Sequence, residues 1–306
     1  MADGEEIGVV SEARRRRHSG VYAEEAQRAI DSGVTVHQLM AASRRSRTWR
    51  VIRIVWVTAG LVFMLYLVLS YFAWGVDERV LRSGGGVEVA DDARSMRFTP
   101  ADGEGRPGLI FIPGGMVDPR AYAPLLHGIA SAGHPVILVK HPHLGGRHAM
   151  GEDGRRETVA RALIALEAAP GEARWIVAGH SLGGAIAARL ARTRPARMAG
   201  LVLLGTTHPR DFSIADFPHP VIKVYGTRDG IAPLAKSKPN AHNLPPSTRW
   251  IAIEGGNHSQ FGYYGFQLLD GRARISREEQ QRQILEVLLE PLEAPWLQAG
   301  AARALP

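Results

Sequence analysis

The chain has 306 residues, 45% of them hydrophobic and 22% charged. This is the usage of a folded protein, and it excludes a wholly disordered or collagen-like chain despite 34 glycines and 19 prolines. There is no cysteine, which excludes a disulfide scaffold, thiolate metal sites and a cysteine nucleophile. The net charge is +7, and all but four of the 37 basic residues (Lys140, Lys223, Lys236 and Lys238) are arginines. Such a surplus points to nucleic acid or anionic lipid, and where the arginines gather decides between them.

Residues 1–50 read as a basic tail. Arg14 to Arg17 form a run suited to solvent or lipid headgroups. Tyr22–Ile30 has a helical pattern that Gly33 can end, and Thr35 with Gln38 fits a capping box opening a second helix. The spacing Ala29, Gly33, Val34, Leu39 faintly resembles a DNA-binding helix-turn-helix. One such copy tethered to a bilayer is ill suited to reading DNA, and nucleic acid is not expected as a partner.

Residues 51–74 follow as a transmembrane signal anchor. Ile54–Trp74 is a stretch without charge, long enough as a helix to span the ~30 Å hydrocarbon layer. Trp49, Trp56, Tyr71 and Trp74 stand near its ends, where amphipathic rings settle. Arg44, Arg45, Arg47, Arg50 and Arg53 precede it, whereas Asp77 and Glu78 balance Arg79 and Arg82 after it. The positive-inside rule then predicts a cytoplasmic N-terminus and an extracytoplasmic remainder. A long charged segment precedes the apolar run and no A-x-A-like site follows it, so the anchor is expected to stay uncleaved.

Residues 75–86 read as a linker ending in Gly84-Gly85-Gly86, residues 87–292 as the folded domain and residues 293–306 as a flexible tail. Short β-rich runs predict strands at 87–90, 95–99, 109–112, 136–140, 175–178, 201–204, 221–225 and 250–253. Helical patterns fall at 121–132, 157–168, 182–194 and 277–289. This alternation predicts an α/β fold with a mainly parallel central sheet and helices on both faces.

The chemistry-bearing segment is Gly179-His180-Ser181-Leu182-Gly183-Gly184, between a strand and an Ala-rich helix. That context makes G-x-S-x-G a nucleophile elbow, in which a strained turn exposes a serine above a helix N-terminus. A serine hydroxyl needs a base, and the base needs a carboxylate to fix its tautomer. Asp229, in Gly226-Thr227-Arg228-Asp229-Gly230, follows the strand at 221–225, and His258, in Gly255-Gly256-Asn257-His258, follows the strand at 250–253. Asp211 and Asp216 are fallback acids, with Glu254 ranked below them. His180 is expected in the pocket wall rather than as base. Pro113-Gly114-Gly115-Met116 follows the strand at 109–112. Its Gly115 N–H, or alternatively that of Met116, is expected to join Leu182 N–H as an oxyanion donor.

Through FIPGG, GHSLGG, YGTRDG and EGGNHSQFGYYG, residues 108–290 resemble a bacterial α/β-hydrolase domain of the serine hydrolase superfamily, near its dienelactone-hydrolase-like and small esterase-like members. The resemblance implies a Ser181–Asp229–His258 triad with Gly115 and Leu182 as backbone donors. Many members carry a helical cap before the acid-bearing strand, but Gly205–Pro220 is too short for one. An open pocket is therefore expected, with Thr206, Thr207, His208, Phe261, Tyr263 and Tyr264 as candidates for its wall; the aromatic residues fit loop packing equally. His141, His143 and His148 read as a solvated rim loop rather than a metal site. No cofactor or metal is expected.

The activity expected is acyl-enzyme hydrolysis of a small-molecule or lipid-like carboxylic ester by a membrane-anchored enzyme. The alternatives are a thioester, lactone or amide hydrolase, or a non-catalytic tethered sensing module.

Overall fold

A computed structural model describes residues 24, 27–28, 31–33, 36–142, 151–169, 175–295 and 297. Arg14–Arg17, Thr35, His143, His148 and most of the tail from 293 lie outside them. The chain divides into two compact units, Met1–Tyr66 and Leu67–Pro306.

Helix α1 spans Val36–Tyr71. It begins ahead of the arginine-rich stretch and runs through it without a break, because arginine is a good helix former. Its segment Arg47–Tyr71 is 25 residues long with a mean hydropathy of 2.2, long and apolar enough to cross a membrane. Trp56, Leu61 and Val62 are among its exposed side chains.

The second unit is built on an eight-stranded sheet: β1 (Val87–Asp91), β2 (Ser95–Pro100), β3 (Gly108–Ile112), β4 (Val136–Val139), β5 (Trp175–His180), β6 (Gly200–Leu204), β7 (Val221–Gly226) and β8 (Arg249–Ile253). Their order is β1-β2-β4-β3-β5-β6-β7-β8. β1 and β2 pair antiparallel and β2 joins β4 antiparallel; from β4 to β8 every pairing is parallel. All eight expected strands are present. β3, β5 and β6 are buried along their whole length, as continuous apolar runs require when both faces are covered.

Strand alternation sorts the core into two layers. Leu109 and Phe111 point into one, with Leu126, Ile129, Ile284 and Leu288. Ile110 and Ile112 point into the other, with Leu166, Ile186 and Leu190. The first layer is roofed by α2 (Ala123–Ser131) and α6 (Arg277–Glu293), the second by α3 (Glu152–Ala168) and α4 (Leu182–Thr193). Each fully buried aliphatic side chain contributes about 1.5–3 kcal/mol.

Several helix boundaries differ from the sequence pattern. The helix expected from Ala121 opens as a 3-10 turn, Pro119–Tyr122, whose Asp118 carboxylate accepts from Arg120 N–H, before α2 begins. α3 begins at Glu152, five residues before the expected start, because its first turn is polar: Glu152 and Asp153 favour the positive helix terminus. α6 starts as expected, with Ser276 Oγ accepting from Glu279 N–H at 3.1 Å, but continues to Glu293. Between β7 and β8 lie α5 (Leu234–Ser237) and a 3-10 turn, Lys238–Asn243, both too short to leave a periodic pattern. The chain passes from β6 to β7 in 16 residues without a helix.

Candidate active site

The carboxyl ends of β3, β5, β7 and β8 deliver the four segments singled out in the sequence. At the end of β5 the chain turns into α4 through Ser181, which has φ 52° and ψ −114°. This conformation is strained for a residue with a Cβ and places Ser181 outside the helix it precedes. Two glycines make the turn possible. A Cβ on Gly179 would collide with the Gly183 backbone, and one on Gly183 would collide with Ile112 O at the end of β3. Ser181 N–H donates to Leu204 O at 2.9 Å, tying the turn to β6. Its hydroxyl makes no hydrogen bond among the described residues.

His258 follows β8, and its Nδ1 lies 2.8 Å from Asp229 Oδ2. A carboxylate can only accept, so Nδ1 carries the proton and Nε2 presents its lone pair. Asp229 sits in the turn after β7 with its side chain fully buried. Its other oxygen, Oδ1, accepts from Ile231 N–H at 2.9 Å and Ala232 N–H at 2.6 Å. These bonds replace the water that a buried carboxylate loses. Asp211, Asp216 and Glu254 are exposed, and none bonds to His258 among the described residues.

The His258 loop adjoins the turn at Ser181 through His180, whose ring centroid is 4.6 Å from that of His258. The expectation that His180 lines a pocket wall is corrected: it is completely buried, against Phe261 with centroids 5.0 Å apart. Burial, with the neighbouring His258 ring as a lesser cause, holds its pKa well below the usual imidazole range. Phe261 and Tyr264 are likewise fully buried, so of the two readings of the aromatic cluster, packing beneath the loop is the one that holds. Tyr263 is half-buried under the Arg277 guanidinium, 5.5 Å from its ring. Thr206 is buried against Gly184, leaving Thr207 and His208 partly exposed.

The loop after β3 is propped from two sides. Gly114 N–H donates to Tyr122 Oη at 3.0 Å, and His141 Nε2 reaches Pro113 O at 2.9 Å while its Nδ1 meets Thr158 Oγ1 at 3.0 Å. His141 is thus a buried prop, not part of a solvated rim. With Gly114 occupied, the N–H groups of Gly115, Met116 and Leu182 make no hydrogen bond among the described residues. Met116 has φ 55°, a strain that shapes the loop above the elbow. Among the described residues no cluster of three or more His, Cys, Asp or Glu could hold a metal ion.

No motif in the sequence marks Asp270. Its Oδ1 accepts from Gly230 N–H at 3.1 Å and His258 N–H at 3.2 Å, and its Oδ2 from Ser259 N–H at 2.8 Å and Ser259 Oγ–H at 2.7 Å. One carboxylate therefore clamps the Asp229 turn to the His258 loop. The only hint was the Asp270-Gly271 dipeptide, an ordinary turn signal.

Among solved structures, a CIB-like hydrolase from Thermoplasma acidophilum is 17% identical over 66% of this chain and 99% of its own, with a TM-score of 0.50. A bacterial membrane phospholipase A is 14% identical over 82% of this chain and all of its own, with a TM-score of 0.51. A ferulic acid esterase from Streptomyces cinnamoneus is 20% identical over 63% and 70%, with a TM-score of 0.51. At these identities the likeness is one of fold. No curated protein matches the sequence. The alpha/beta hydrolase family model matches residues 108–282, from the first residue of β3 into α6. The chain belongs to the alpha/beta hydrolase family.

Proposed function

We propose that the protein is a serine hydrolase that cleaves carboxylic esters, anchored by α1 with its N-terminus in the cytoplasm and its hydrolase unit outside. The observation that carries the reading is the buried Asp229–His258 pair at 2.8 Å, its imidazole 4.6 Å from the ring of His180, the residue before a serine held at φ 52° on a helix N-terminus. In the mechanism, His258 Nε2 takes the Ser181 hydroxyl proton as Oγ attacks the ester carbonyl. The N–H groups of Leu182 and of Gly115 or Met116 stabilise the oxyanion. His258 returns the proton to the departing alkoxide, leaving an acyl-enzyme. Water then attacks that ester, giving its proton to His258, and the collapse releases the acid and restores Ser181.

The anchor rests on the length of the apolar helix and the arginines that precede it. A lipid-like substrate suits this setting, and a membrane phospholipase A shares the fold. The test is Ser181→Ala: turnover of short p-nitrophenyl esters and covalent labelling by a fluorophosphonate should both disappear. Wild-type protein that takes no label would refute the mechanism. Cleavage of residues 87–306 by protease added to intact cells tests the orientation.

A further inference from the structure

Within Leu67–Pro306, the exposed large apolar side chains of the described residues gather on three neighbouring segments, with Ile164 the single exception. One is the last turn of α1 with the residues that follow it, carrying Val68, Leu69, Phe72 and Trp74. The second is Met116 on the loop after β3. The third is Phe266, Leu268 and Leu269, 51%, 60% and 80% exposed. Hydrogen bonds join them: Asp118 N–H donates to Tyr71 O at 2.9 Å, and Trp74 N–H to Tyr263 O at 2.7 Å. Gly265 packs so closely on the helix end that a Cβ there would lie 2.8 Å from Ser70 Cα. The apolar loop therefore emerges where the anchor helix stops. Single exposed leucines are ordinary, but a contiguous apolar patch marks an interaction surface.

Charge identifies the partner. Arg228, Arg272 and Arg274 stand exposed around the loop, with Arg228 Nε donating to Arg272 O. None has a carboxylate partner among the described residues. Apolar side chains backed by unpaired arginines suit a bilayer interface bearing anionic headgroups. The loop is also coupled to the base, since Gln267 N–H donates to Ser259 Oγ at 3.0 Å and Asp270 holds His258 N–H.

We infer that Phe266–Leu269 is a second membrane contact, seating the mouth of the site on an anionic bilayer so that acyl esters reach Ser181 directly from the lipid. The inference rests on the anchored-hydrolase reading and adds where its substrate comes from.

The absence of cysteine makes the test direct. Full-length L268C, V62C and I164C are each labelled with bimane and placed in nanodiscs of brominated phosphatidylcholine and phosphatidylglycerol. Val62 reports the anchor, and Ile164 is the exposed control. The label at 268 should be quenched at least about threefold more than that at 164, as for side chains sunk into the headgroup–acyl boundary. Quenching at 62 but none at 268 above the control would overturn the second contact and leave the anchor standing; none at 62 would remove both. A second measurement compares a bilayer-embedded long-chain ester with a soluble short one. Phe266→Ser with Leu268→Ser should lower the ratio of their turnover rates about tenfold through lost apolar burial. An unchanged ratio would overturn delivery from the lipid.

Discussion

Tyr122 Oη lies 2.8 Å from His180 Nδ1, and that hydrogen bond links the loop after β3 to the elbow beneath it. Because the phenol also accepts from Gly114 N–H, its own proton is directed at Nδ1, and His180 carries its proton on Nε2. No partner for Nε2 exists among the described residues; the ring is held by packing and this one bond.

Tyr122→Phe should therefore leave a buried backbone N–H and a buried imidazole nitrogen unpaired, at about 1–3 kcal/mol for each. The expected outcome is a lower urea midpoint with an unchanged slope. It should be accompanied by a fall in kcat, because the loop bearing Gly115 loses its prop. Equal stability of the variant and wild type would contradict the geometry.

Asp229→Asn tests the acid. The amide can still accept from Ile231 and Ala232 but no longer fixes the His258 tautomer or balances the imidazolium, and a loss of roughly 10⁴-fold in kcat is expected. Asp211→Asn, on an exposed side chain, should change kcat less than about twofold, as surface substitutions usually do. If the two variants behaved in reverse, the relay would have to be redrawn through the other loop.

Asp270→Ala tests the clamp. The substitution strands the N–H groups of Gly230, His258 and Ser259, at a cost of about 1–3 kcal/mol for each that water cannot reach. The His258 ring should then wander, lowering kcat more than it raises KM. Asp270→Asn keeps one accepting oxygen and should recover part of the loss, a graded response not expected of a residue that only fills space.

Stability should rise with pH across a wide range. Burial lowers the pKa of His134, His141 and His180, and that of His208 to about 4. The unfolded chain therefore binds more protons than the native one below about pH 6.5, and stability falls as pH drops through that window. Lys223, buried in β7 with its amine donating to His208 O at 2.6 Å, is lowered to about 7 by burial. Between there and about 10.4 the unfolded lysine again holds more protons, so stability climbs further. Denaturant midpoints measured across both windows check the sign, and Lys223→Met should flatten the upper one.

Features written in local pattern are legible in the sequence alone. The strands from Leu109 to Ile253 announced themselves as continuous apolar runs, and the order Ser181, Asp229, His258 followed from what comes after each run. What escaped depended on contacts distant in sequence. Nothing around His141 or His180 says that one props Pro113 and the other packs under Phe261. Asp270 looks like any aspartate in a turn until the fold brings it to His258. The early start of α3 was hidden because Glu152 and Asp153 stabilise a helix by charge, without adding to its apolar stripe.

The short passage from β6 to β7 has a kinetic consequence. That connection builds no helical roof over Ser181, and if the proposed second contact turns the apolar rim toward lipid, the membrane itself would close the reaction chamber. Velocity should then track the mole fraction of ester in the leaflet, and diluting the vesicles in buffer at constant lipid composition should leave the turnover per enzyme untouched.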